Sequence, residues 1–166
     1  MTETVRATAR VVALLAVLAG IAWISGRPFV FPSLGPSAYA LAVRPGAETN
    51  RPHRVVGGHA IGLAAGLVGY HLFASGTILT SQPAPPSAAG LGLAASAVVA
   101  VGLTTAGMLA SDLRHAPACA TTLIVALGLL TGPIEAVIVV AAVVGLLALD
   151  RLLAAVYSPS NGSSTS

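Results

Sequence analysis

Lysine is absent from this chain of 166 residues, and charge of either sign is scarce: eight arginines, five acids, 8% charged residues in all. A soluble domain carries roughly 25% charged residues, so a surface that keeps the molecule dispersed in water is excluded. A single cysteine, Cys119, excludes an internal disulfide and leaves the redox compartment unread. The chain has no Gly-rich phosphate loop, no Cys-x-x-Cys, no His-Glu-x-x-His and no Gly-x-Ser-x-Gly. Nothing argues for an enzyme or for a cofactor. Cys119 and His115, four residues apart, are two ligands and make no metal site.

What is present is apolar. Hydrophobic residues make up 55% of the chain and mean hydropathy is +0.89, so the expected partner is the lipid bilayer. A formal charge of +3 would point to nucleic acid in a soluble protein. Here the arginines stand at the ends of apolar runs, where they orient a membrane protein, and no nucleic-acid partner is expected.

The runs are six: 11–26, 29–43, 55–79, 88–110, 116–131 and 134–149. A helix needs about 20 residues to span a bilayer. The third and fourth suffice alone. The first and last extend past charged residues whose side chains snorkel outward. The second and fifth are short and each opens with a proline-containing stretch. The first run resembles a secretory signal, but Trp23 and Arg27-Pro28 follow it instead of a small-residue cleavage site, so it reads as a retained helix. The fold class expected is an all-α membrane protein, a polytopic helical bundle of six hydrophobic segments. Residues 1–157 form the transmembrane domain and 158–166, rich in Ser, Asn, Gly and Thr, a disordered tail. Six crossings with both termini cytoplasmic place seven of the eight arginines inside and only Arg27 outside. The competing reading has four crossings, with the second and fifth runs dipping in and out.

Run lengths follow a long, short, long order twice. Gly35-Pro36-Ser37-Ala38-Tyr39 aligns with Ala116-Pro117-Ala118-Cys119-Ala120, proline second in both. Three crossings per half make the second half inverted, and short Gly/Pro-interrupted segments at matching places of inverted halves point to a transporter's binding site. Proline favours the first helical turn. If Phe29–Gly35 is extended at ~3.3 Å per residue, it covers about 20 Å and brings a helix start to mid-membrane. Two such N-termini would offer N–H groups to a small anion, with those of 37–39 and 118–120 as donors. Alternatively, both prolines kink full-length helices. Candidate substrate-binding residues are therefore Gly35, Pro36, Ser37, Ala38 and Tyr39, then Arg114, His115, Pro117, Ala118 and Cys119, and also His59.

Along the third run Gly58, Gly62 and Gly66 recur at every fourth residue, a face that admits close approach of another helix within the protein or in a homo-oligomer. His71 lies about 120° around the helix from His59 and reads as a hydrogen-bonded packing residue. Glu135 after Pro133 reads as a helix-start carboxylate or a proton carrier.

Three stretches, Phe31-Pro32-Ser33-Leu34-Gly35-Pro36-Ser37-Ala38-Tyr39, Val56-Gly57-Gly58-His59-Ala60-Ile61-Gly62 and His115-Ala116-Pro117-Ala118-Cys119-Ala120-Thr121, resemble the HPP family of integral membrane proteins, its archaeal members most. The family's His-Pro-Pro motif usually continues Ala-Gly-Ala-Thr. Here Ala116 replaces the first proline and Cys119 the glycine. The resemblance runs from about residue 11 to 155. It implies a helical membrane protein, usually described with four transmembrane helices. Some plant members are implicated in nitrite transport across the chloroplast envelope. Two function classes follow: a transporter or channel for a small anion such as nitrite, and a non-transporting membrane scaffold or sensor subunit.

Overall fold

The computed structural model describes residues 2–81 and 83–157; the expected disordered tail, 158–166, lies outside the described residues. Six helices form: α1 Glu3–Ser25, α2 Leu34–Val43, α3 Pro52–Gly69, α4 Ala88–Ala110, α5 Ala118–Ala126 and α6 Pro133–Tyr157. No strand occurs among the described residues. The local signals are familiar ones. Thr2 and Ser87 accept from the backbone N–H of Val5 and Gly90 and cap α1 and α4. Gly26 ends α1 at φ 64°, in the left-handed region. Pro52 opens α3. A wider turn of π type, Tyr70–Ala74, continues α3.

Among the described residues, four helical stretches are long and apolar enough to cross a membrane: Glu3–Ser25, Pro52–Ser81, Ala88–Ala110 and Pro133–Ala155. Trp23, Val98 and Leu91 on their outer faces are 86%, 74% and 72% exposed. Side chains of that size scattered over every face are costly in water and natural in lipid.

The short segments are not kinked full-length helices. α2 has 10 residues and α5 has 9, and the rest of each run is irregular. Residues 27–31 come back from the end of α1 before α2 begins, and 127–132 leave α5 before α6. Each half-helix thus stands beside an irregular stretch of the same apolar run.

Contacts fix the directions. Arg10 of α1 bonds Asp150 of α6 at 2.6 Å, so these two helices run antiparallel, with the α1 start beside the α6 end. The N–H of Leu79, beyond α3, donates to Leu127 O, beyond α5, so α3 and α5 end together. Arg54 near the α3 start reaches Asp112 past the α4 end. Arg44, Arg51, Arg54 and Arg114 thus gather where α2 and α4 end and α3 starts, and Arg10 lies with Asp150 near the α6 end.

Packing repeats between the halves. α2 packs on α1 as α5 packs on α4. The third helix of each half then crosses over: α3 packs on α4 and α5, α6 on α1 and α2, and α3 meets α6 between them. Exchanging 1 with 4, 2 with 5 and 3 with 6 maps each of these contacting pairs onto a contacting pair, as a three-plus-three inverted repeat would.

Glycine makes the tightest seam. A Cβ on Gly62 would stand 2.7 Å from Ala118 O, and one on Gly66 2.8 Å from Val125 Cβ. Gly58, Gly62 and Gly66 all face the 115–125 segment, and their regular spacing holds α5 parallel to α3 at backbone contact.

Candidate functional site

Both half-helices start in the middle of the bundle. Ala118 lies against Gly62, ten residues into α3, or about 15 Å from its start at 1.5 Å per residue. α2, running the opposite way, starts one turn further on: Ser33 Oγ lies 2.7 Å from Thr121 Oγ1 in the first turn of α5. Ser33 occupies the cap position of α2 but makes no capping bond; its hydroxyl is turned sideways to the partner helix instead.

Around this crossing five side chains are sealed from solvent: Ser33, Ser37, His59, His115 and Thr121, each 0–1% exposed. Ser37 Oγ is 3.1 Å from His59 Nε2 and 3.3 Å from His115 Nε2. His59 Nδ1 is 2.7 Å from Thr121 Oγ1. His115 Nδ1 is 2.9 Å from the carbonyl oxygen of Thr49, in the short 3-10 turn Glu48–Asn50 that Asn50 pins to the end of α2 through Ala40 O and Arg44 O. The two imidazoles are 5.3 Å apart between ring centres. A second layer continues toward the arginine-poor end: Thr104 of α4 lies 2.8 Å from Thr122, and Ser96 donates to Ala126 O. Buried polar groups are costly unless paired, and here each finds its partner on another helix.

A model of the HPP transmembrane region matches residues 1–161. The chain belongs to the HPP family. No curated protein and no solved structure matches it. The three stretches that resemble HPP sequences meet at the cluster: Ser33 and Ser37 from the first, His59 from the second, His115 and Thr121 from the third.

In this HPP protein the expected site residues divide. Ser37, His59 and His115 come together, and Ala38 and Ala118 are buried beside them. Tyr39 is 62% exposed on the outer face of α2, and Pro36 is also exposed. Gly35 and Pro117 are half-buried and shape the turns. Cys119, half-buried, makes no side-chain hydrogen bond with the cluster. Arg114 points outward and pairs with Asp112 at 3.3 Å. The expected N–H donors are also taken. Ser37 N donates to Ser33 O, Ala118 N to His115 O, Cys119 N to Ala116 O and Ala120 N to Pro117 O. Tight turns at 31–34 and 115–117 precede both half-helices, so their first N–H groups close onto the chain's own carbonyls. His71, expected to hydrogen-bond in the interior, is exposed and meets the Tyr70 ring edge-on at 5.3 Å.

Sequence reasoning passed over Ser33, Thr121 and the Thr49 carbonyl. Ser33 stands four residues before Ser37, one helical turn away, and that spacing was the available signal. Thr121 ends the third stretch. The Thr49 carbonyl had no signal, because a backbone acceptor has no sequence signature.

Proposed function

We propose that this HPP protein moves a small monovalent anion of the nitrite class across the cell membrane, as a transporter or channel, with the arginine-rich end and both termini cytoplasmic. The reading treats it as a carrier of solute with no catalytic step. The observation that carries it is the crossing of two half-helices from inverted halves at mid-bundle, around sealed polar side chains. Polar groups at membrane depth are expensive and mark solute pathways, and half-helices at matching places of inverted repeats are how many transporters build their midplane sites. The arginine-rich end supports the orientation and supplies a positive field that gathers anions. With the cluster closed, passage requires the α1–α2–α6 group to shift against the α3–α4–α5 group.

The closed cluster and its self-satisfied helix starts also favour a second reading, a scaffold whose polar core only specifies packing. Uptake into proteoliposomes of nitrite, nitrate, formate and chloride separates the two. Saturable uptake of at least one anion is expected, and Arg114→Gln should lower it by about two- to threefold at low salt, the loss shrinking as salt screens the exposed charge. No saturable flux for any anion makes the scaffold the better reading.

A further inference from the structure

With both rings neutral and Ser37 donating to His115, the Thr49 carbonyl sets the direction of the hydrogen bonds from Ser33 to Thr49. A carbonyl oxygen only accepts, so His115 Nδ1 carries a hydrogen and donates it. In the neutral ring Nε2 is then bare, and it accepts from the Ser37 hydroxyl. Ser37 has one hydrogen, so its oxygen accepts from His59 Nε2. His59 Nδ1 is thereby bare and accepts from Thr121, whose own oxygen accepts from Ser33. The donors run one way, from Ser33 through Thr121, His59, Ser37 and His115 to Thr49. The two histidines hold opposite tautomers.

Ser37 Oγ has one further acceptor within reach, Ser33 O at 3.0 Å. Turning the hydroxyl toward it leaves the Ser37 oxygen facing two Nε2 atoms, and both are paired only when both donate. His115, already protonated at Nδ1, then holds a second proton and is a cation. The cluster therefore has two complete hydrogen-bond patterns that differ by one proton and the rotation of one hydroxyl.

Neighbouring charges are occupied elsewhere. Glu48 and Asp112 pair with Arg51, Arg54 and Arg114 at the arginine-rich rim, and Asp150 pairs with Arg10. His53 is exposed near the start of α3. α2 brings only the exposed Tyr39, α5 only Cys119, α4 no titratable side chain, and Glu135 sits in the first turn of α6 at the far end.

We infer that His59, Ser37 and His115 form a binding site for a single proton, and that this proton crosses with the anion. The coupling rests on the transport reading above; the proton site does not. The proton is taken up at His115 Nε2, the free lone pair of the neutral ring on the Ser37 side, and a cation at mid-bundle offsets the cost of an anion there.

The full chain, carrying isotope-labelled histidine in lipid vesicles, tests the site by nitrogen NMR. At about pH 8 one buried histidine should be protonated at Nδ1 and the other at Nε2. On acidification from about pH 8 the pair should take up a single proton, with both histidines' signals shifting together. In Ser37→Ala the His59 signal should no longer follow His115. Identical tautomers, uptake of two independent protons or no uptake at all overturns the site. Vesicles loaded with a pH-sensitive dye read the coupling: one proton should enter with each anion. Anion uptake without proton movement overturns the coupling and leaves the transporter standing. Absence of all flux removes the transporter, and the NMR result then decides the proton site alone.

Discussion

Thr121 joins the two histidine-bearing elements to α2, because its hydroxyl both receives from Ser33 and gives to His59. Valine has nearly the same shape and no hydroxyl. Thr121→Val therefore strands a ring nitrogen and a serine hydroxyl in a sealed site, and each stranded group costs about 1–3 kcal/mol. Thr105 is the control, since its hydroxyl bonds only Val101 O one turn back and it faces outward. Unfolding in detergent should show Thr121→Val clearly destabilised and Thr105→Val within about 0.5 kcal/mol of the parent. Equal stabilities would mean the cluster's hydrogen bonds contribute nothing net. The two histidines of the α3 stretch show the same dependence on neighbours. His59 and His71 look alike in sequence, but α5 covers the first face at backbone contact, while the second emerges on the π turn beside Tyr70.

At the scale of the elements, glycine placement decides how closely α5 approaches α3. Gly62→Ala puts a methyl 2.7 Å from Ala118 O and 2.9 Å from Thr122 Oγ1, so α5 must move away and loosen the cluster it carries. Overpacking of this kind costs about 1–3 kcal/mol. Gly102→Ala on the exposed face of α4 meets nothing within 4 Å and should be neutral or slightly stabilising, since alanine is the better helix former. Melting temperatures of the two variants in the same detergent make the comparison, and a Gly62→Ala protein as stable as Gly102→Ala would remove the seam from the account. The seam was legible in the four-residue glycine spacing, and the half-helices in the short proline-opened runs. Their exact extent was not. Hydropathy is the same for an extended apolar segment and a helical one, so runs 29–43 and 116–131 read as longer elements than the ten and nine helical residues they contain. The helix-start N–H groups were misjudged for a similar reason: closure by the turns at 31–34 and 115–117 depends on backbone angles, which composition does not report.

For the whole molecule, α3 packs on α4 and α5 while α6 packs on α1 and α2, so neither half is a self-contained unit, and the proposed topology has all six segments crossing. That gives opposite sides to the two loops that flank α3. Gly46, between α2 and α3, is exposed, with open space where a side chain would stand. Ala84, between α3 and α4, is exposed in the uncharged Pro-rich loop. In a Cys119→Ser background, Gly46→Cys should react with a membrane-impermeant maleimide only after the cells are opened, and Ala84→Cys should react in intact cells. If α2 and α5 only dipped into the bilayer, the count of crossings before residue 46 would change by one. Gly46→Cys would then label from outside, together with Arg44, Arg51 and Arg54 exposed there against the charge rule. Labelling of both positions from the same side is impossible for the bundle described, because α3 and its π turn run from one end to the other between them; that result would overturn the fold itself.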